Sequence, residues 1–246
     1  MHVLVTRPKR DGEALKSRLE RHGWRAGLEP LIDIVPNAVP ISAIENASGL
    51  IVTSRNALDA LALSPALPLA LTLPLLVVGP GTAAMALELG FRDVFEGSGT
   101  GADLVPEIAR RSKTDGTAFI YLAGDVKAFD LSAALARQNV DIETLTVYQS
   151  VAAKTLTPQT VEALQRREFD VVTLMSPRTA DTWGRLISGL LPRPDLSGIT
   201  YVCLSQNVSE ALKARVEGPK ILIAARPNLE ELFVVLKRLA ARPEAE

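Results

Sequence analysis

The sequence is 246 residues long, enough for one large domain or two of roughly 120 residues, and 47% hydrophobic against 22% charged residues excludes a disordered or fibrous chain. Its 27 basic and 28 acidic side chains leave a net charge of -1, without the basic excess by which a general nucleic-acid binder neutralises phosphate. The single cysteine, Cys203, excludes an internal disulfide or a cysteine-built zinc site and makes a reducing cytoplasm the expected location.

In chain order, short apolar runs alternate with amphipathic segments, the pattern of parallel strands joined by crossover helices. The opening MHVLVTRP lacks the charged-then-apolar order of a signal peptide and supplies a first strand, VLVT (3–6). An amphipathic helix ends in the polar RHG, and LIDIV (31–35) follows as a strand. His2 and His22, the only histidines, fall at surface or fraying positions, so acid–base chemistry is expected from a carboxylate, a Lys or a Tyr. GLIVT (49–53) is the next strand. Ala60–Leu87 then carries no charged side chain over 28 positions, nominally enough to span a bilayer. Pro65, Pro68, Pro74 and Pro80 interrupt it, which argues against a membrane helix. PLLVVG (74–79), DVFE (93–96), AFIYLA (118–123), ETLTVY (143–148), VVTLM (171–175), TYVCL (200–204) and KILIAA (220–225) complete the strands. Cys203, Tyr121 and Tyr201 lie inside apolar runs and are expected in the core, and the closing RPEAE (242–246) is polar and expected to fray.

The order of these units repeats. LIVTSRNALDAL at 50–61 lies over VTLMSPRTADTW with an offset of 122 residues, and LLVVGPGTAAMAL lies over YVCLSQNVSEALK with an offset of 126. DVFE with its helix lies over KILIAA with its helix. The fourth unit of the first half, FIYLAGD through LTVY, finds its counterpart only at the N-terminus, in VLVTRP through LIDI, with an offset of 116. The expected organisation is therefore an inserted α/β domain at 37–149 and a discontinuous one built from 1–36 and 150–246. Two crossings of the chain form a hinge and make a cleft between the domains a natural ligand site.

Ligands of open parallel sheets bind beyond the carboxyl ends of the strands. Arg7, Arg55, Lys127, Arg178 and Arg226 follow strands there, and cations on one rim of a chain of net charge -1 point to an anionic ligand. GPGT (79–82) and GSGTG (97–101), which ends at Gly101, bring glycine-exposed N–H groups to helix starts. Ser54 and Ser176 stand at helix N-cap positions, whose ordinary role is capping. Tyr148 ends a strand at the second crossing, where its phenol is either packed or presented to the cleft as a donor or weak acid. GPGTAA also fits the G-x-G-x-x-A dinucleotide fingerprint, although Pro80 removes one loop N–H.

Taken in order, VLVTRP, LIVTSRNAL, VVGPGTA, YLAGD, LTVYQS, VVTLMSPRTA, YVCLSQNVSEAL and ILIAARPNLEELF resemble the uroporphyrinogen-III synthase family over almost the whole chain. The resemblance implies two similar parallel-sheet α/β domains with flanking helices, joined by a two-stranded hinge, with the substrate cleft between them. It implies a cyclising lyase of heme and tetrapyrrole biosynthesis that closes linear hydroxymethylbilane to uroporphyrinogen III with loss of water and inversion of ring D. No cofactor and no metal are implied; the partners would be the linear tetrapyrrole and, in transient contact, hydroxymethylbilane synthase, the chain acting as a cytoplasmic monomer without nucleic acid or membrane. Residue by residue, it implies Tyr148 as the group assisting hydroxyl departure, and Arg7, Ser54, Arg55, Thr82, Gly101, Lys127, Ser176 and Arg178 as substrate-binding positions. Two positions depart from the family pattern. Val208 stands where a threonine is frequent, and Lys127 stands where an arginine is common, offering a point charge in place of a bidentate fork. A nicotinamide-dependent oxidoreductase and a two-domain small-anion binding protein are the alternatives.

Overall fold

A strand covered on both faces needs apolar residues at successive positions, and the runs VLV, GLIV, VVTL and YVC meet that demand. The structure, a computed structural model, describes residues 1–114, 116 and 118–241, so the RPEAE expectation lies outside the described residues. The chain begins with β1 (His2–Val5), α1 (Lys9–Glu20), β2 (Arg25–Leu28), β3 (Ile32–Pro36), β4 (Gly49–Val52), α2 (Arg55–Ala62) and α3 (Leu67–Ala70). It continues through β5 (Leu75–Val77), α4 (Pro80–Leu89), β6 (Val94–Glu96), α5 (Gly101–Thr114), β7 (Phe119–Gly124), α6 (Leu131–Ala136) and β8 (Glu143–Ala152). It ends with α7 (Pro158–Gln165), β9 (Val171–Leu174), α8 (Pro177–Ser188), β10 (Thr200–Cys203), α9 (Gln206–Lys213), β11 (Lys220–Ile223) and α10 (Leu229–Ala240). The charge-free Ala60–Leu87 stretch becomes the end of α2, α3, β5 and most of α4, and no described helix is long and apolar enough to cross a membrane.

Contacts divide the chain into two units, Met1–Asp33 with Val151–Glu246, and Ile34–Ser150. In the first unit the sheet order is β11-β10-β9-β1-β2, with every neighbouring pair parallel. Alternation along the strands sends Leu4, Val172 and Tyr201 to the α8 and α9 face and Val3, Val5 and Val202 to the α1 and α10 face. On that second face Arg18 of α1 sits 4.0 Å over the Phe233 ring and pairs with Glu230, joining the first helix to the last.

The second unit has the order β3-β8-β7-β4-β5-β6. Without β3, this order reads β8-β7-β4-β5-β6 against β2-β1-β9-β10-β11, strand for strand, with β2 in the place that the sequence repeat gives to LIDI. Leu50, Val52, Leu75 and Val77 face α2 and α4, while Ile51, Leu76 and Tyr121 face α5 and α6. The chain passes from one unit to the other on β3 and returns on β8. Asn37 N–H donates to the Val147 carbonyl at 2.8 Å and Ala153 N–H to the Leu31 carbonyl at 3.0 Å, a pairing that fixes the two strands antiparallel.

Three local expectations are corrected. RAGL carries no strand signal, being short, glycine-containing and only partly covered, yet β2 forms there by pairing with β1; LIDIV becomes β3 in the second sheet instead of closing the first. β8 runs on to Ala152, so Tyr148 lies inside the strand rather than at its end. His2 does not fray. Its ring centroid is 4.5 Å from that of Phe169, its Nδ1 lies 2.9 Å from the Glu168 carbonyl, and its backbone N–H donates to Asp170 at 2.6 Å. Burial, with Arg25 nearby, pushes its pKa below the ordinary value.

Candidate active site

Side chains just past the carboxyl ends of parallel strands stand where ligands of such sheets are held. Each unit has a pocket there, and the two are built from different chemistry.

In the first unit a pocket of about 390 Å³ is lined by Thr6, Arg7, Asp11, Ser176, Thr179 and Asn228, among others. Thr6 is fully buried and its hydroxyl donates to the Thr173 carbonyl at 2.6 Å, locking the end of β1 to β9. Ser176 caps α8: its Oγ accepts the Thr179 N–H at 3.1 Å and lies 2.7 Å from the Thr179 hydroxyl. Arg7 donates to Asp11 at 2.5 Å, one turn into α1. Arg226 is likewise held by Glu231 at 2.7 Å. Both cations remain at the strand ends but are ion-paired, because a carboxylate four or five residues on, in the first turn of the next helix, reaches back to the strand end. Arg55, Lys127 and Arg178 are exposed.

In the second unit a pocket of about 410 Å³ is lined by Thr53, Thr100, Gly101, Tyr121, Phe129 and Leu131, among others. The Tyr121 phenol reaches across from β7 to Thr53, with 2.7 Å between the hydroxyls. Burial raises its pKa, so the phenol stays protonated at neutral pH. Gly101 is needed for close approach: a Cβ there would lie 3.0 Å from the Phe129 ring. The donors of the GSGTG turn are partly engaged already, since both the N–H and the hydroxyl of Thr100 bond Asp103 at 2.8 Å. Ser54 caps α2, its Oγ accepting the Asn56 N–H at 3.2 Å.

Tyr148 belongs to the opposite face of this sheet, among the α2 and α4 core residues, and is 7% exposed. Its ring lies on Gly124, where an added Cβ would be 2.5 Å from Cζ and 2.7 Å from the hydroxyl. That hydroxyl bonds to none of the described residues and is not among the fully enclosed polar atoms, so the phenol is packed along its body and open at its tip. Thr82, in the first turn of α4, is buried with its hydroxyl in the same condition. Val208, its counterpart in the repeat, is 1% exposed in the core of the first unit with Trp183 and Leu212. The missing hydroxyl is replaced there by packing.

Of the nine positions implied by resemblance, the structure thus brings Arg7 and Ser176 together in the first pocket and places Gly101 in the second. Ser54, Arg55, Thr82, Lys127, Tyr148 and Arg178 line neither. Sequence reasoning missed Asp11, Thr179, Thr53 and Tyr121. The spacing of Asp11 four residues after Arg7 was a usable signal, whereas AFIYLA, which correctly puts Tyr121 in the core, gives no sign that this residue also lines a pocket. Cys203 is fully buried and its thiol is pushed up to about 12 by burial, which leaves it in the core and inert as a nucleophile. Among the described residues no group of His, Cys, Asp and Glu side chains gathers where a metal ion could be held.

The sequence profile of the family described as uroporphyrinogen-III synthase HemD matches residues 13–234. Among solved structures, a uroporphyrinogen-III synthetase from Helicobacter pylori is similar at a TM-score of 0.68 and 18% identity, covering 97% of this chain and 99% of that one. A uroporphyrinogen III synthase from the extremely thermophilic bacterium Thermus thermophilus is 21% identical, with 98% of each chain covered, at a TM-score of 0.42. No curated protein sequence matches the chain.

Proposed function

The chain belongs to the uroporphyrinogen-III synthase family, and from that membership we propose how its two strand-end edges share the reaction. The match over residues 13–234 carries the assignment. The activity is that of a cyclising lyase in heme biosynthesis, closing hydroxymethylbilane to uroporphyrinogen III with loss of water and inversion of ring D; the oxidoreductase and anion-carrier readings fall away.

The substrate bears acetate and propionate carboxylates on every ring, so it must be held by several donors at once. In our reading the first unit supplies these through Arg7 and the hydroxyls of Ser176 and Thr179. Ser54, Arg55, Thr82, Gly101, Lys127 and Arg178 add hydroxyl, backbone and cationic donors at the other strand ends. Arg7, already paired with Asp11, would share its planar guanidinium with a substrate carboxylate rather than meet it as a free charge.

Tyr148 is the residue assigned to the chemical step. A pyrrole nitrogen lone pair drives out the hydroxyl of the hydroxymethyl group, the C–O bond breaks, and the phenol hydrogen-bonds or protonates the departing oxygen so that it leaves as water. The electrophilic azafulvene that remains is attacked by a pyrrole carbon with no protein nucleophile. Orientation of the chain of rings then decides the product, since the free bilane closes to the uninverted isomer. The unpartnered tip of Tyr148 supports this role: its proton is committed to no protein acceptor among the described residues. In this reading the protein works as a cytoplasmic monomer and meets hydroxymethylbilane synthase transiently. Purified protein given hydroxymethylbilane should yield isomer III on chromatography; isomer I alone, at saturating enzyme, would sink the assignment.

A further inference from the structure

The position of the Tyr148 phenol is set by an irregularity in the sheet. β7 and β8 run parallel with Ala123 opposite Thr146, but Gly124 is opposite Tyr148, so Val147 is an extra residue in β8. In a regular strand, adjacent side chains point to opposite faces. Here Val147 and Tyr148 both belong to the α2 and α4 face, which is what a one-residue bulge produces.

Two neighbouring residues of β7 and its following loop hold the bulge and what lies on it. Gly124 has no side chain, and the space a Cβ would fill is taken by the tip of the Tyr148 ring, 2.5 Å from Cζ and 2.7 Å from Cε2 and the hydroxyl. Asp125 grips the backbone on both sides of Gln149: its N–H donates to the Tyr148 carbonyl at 3.1 Å, and its Oδ1 accepts the Ser150 N–H at 2.9 Å. The same Oδ1 accepts the Val126 N–H at 3.0 Å, which fixes the carboxylate in turn. The Tyr148 hydroxyl makes no bond of its own to a described residue, so the aim of the phenol depends on this backbone geometry rather than on a partner at its tip.

We propose that Gly124 and Asp125 are positioning residues for the dehydration step, Gly124 by leaving the seat on which the Tyr148 phenol rests and Asp125 by clamping the bulged strand that presents it. The inference rests on the assignment of Tyr148 to hydroxyl departure. Misplacement of a reacting group by about 1 Å is worth on the order of a hundredfold in rate, whereas contacts that only bind substrate appear in KM.

The test compares G124A, D125A and D125N, each alone and combined with Y148F, in the full chain turning over hydroxymethylbilane, with circular dichroism confirming the fold. G124A should lower kcat by about tenfold or more with KM within about twofold. D125A should do the same more mildly, and D125N, which keeps an oxygen acceptor, should recover most of that loss. In the Y148F background neither G124A nor D125A should cost more than about twofold further, because the hydroxyl they aim is gone. Losses that multiply with that of Y148F, or a kcat untouched by both G124A and D125A while Y148F is slow, would overturn the positioning role alone. Unchanged turnover in Y148F would overturn that role together with the assignment of Tyr148. Should G124A fail to fold, D125A and its rescue by D125N decide the matter.

Discussion

The first unit presents at its strand ends an arginine and hydroxyls that already have protein partners, whereas the second presents phenols, one paired with a threonine and one open at its tip. Apart from the additional β3 in the second, both edges sit on sheets of the same strand order. The scaffold is duplicated while the residues just beyond the strands have diverged, and function follows those residues rather than the fold. A paired arginine is suited to holding a carboxylate in a fixed direction. An unpartnered phenol is suited to giving up or sharing a proton.

The largest effect should come from the second edge. Y148F should lower kcat by on the order of a hundredfold while the bilane remains bound and protected, measured by steady-state turnover after confirming an unaltered thermal midpoint. The first edge should behave differently: R7A should raise KM by about tenfold with kcat little changed, because the group it removes makes a charge-assisted bond alike in ground and transition states. An equal fall of kcat in both variants would erase the distinction. Within the second unit, T53V should destabilise the protein by about 1–3 kcal/mol in denaturant unfolding, since the Tyr121 hydroxyl is left buried without its partner. The double variant T53V/Y121F should cost less than the two single losses summed.

The smallest effect separates the units by pH. Both histidines lie in the first unit, and burial lowers the pKa of His2 from its ordinary value of 6.5. A base whose folded pKa is depressed binds its proton more readily when unfolded. The His2 contribution is therefore complete above pH 6.5 and declines as pH falls below 6.5 toward the folded value. Unfolding measured from about pH 7.5 to about pH 5 should show this loss in the wild type and less of it in His2→Asn; identical profiles would remove His2 as its source.

How far the sequence carried this comparison depends on the kind of signal. Strands such as GLIVT and VVTLM were legible because burial on both faces demands unbroken apolar runs, and the permuted repeat followed from their spacing. RAGL was not, because an edge strand with one neighbour needs little hydrophobicity. The strand-end cations were legible, but not the pairing of Arg7 with Asp11 and of Arg226 with Glu231, which depends on the turn between strand and helix. Tyr121 and Tyr148 show the remaining gap. Whether a tyrosine in an apolar run ends in the core or at an opening is fixed by face and register, and in β8 the register is changed by a single extra residue at Val147.

A single-turnover measurement, with enzyme in excess over hydroxymethylbilane, removes substrate capture from the rate and compares the two edges directly. If Arg7 of the first unit only binds and Tyr148 of the second carries out the chemistry, R7A converts bound bilane at nearly the wild-type rate while Y148F is slower by on the order of a hundredfold. A Y148F rate equal to wild type, or an R7A rate as slow as that of Y148F, would contradict the division.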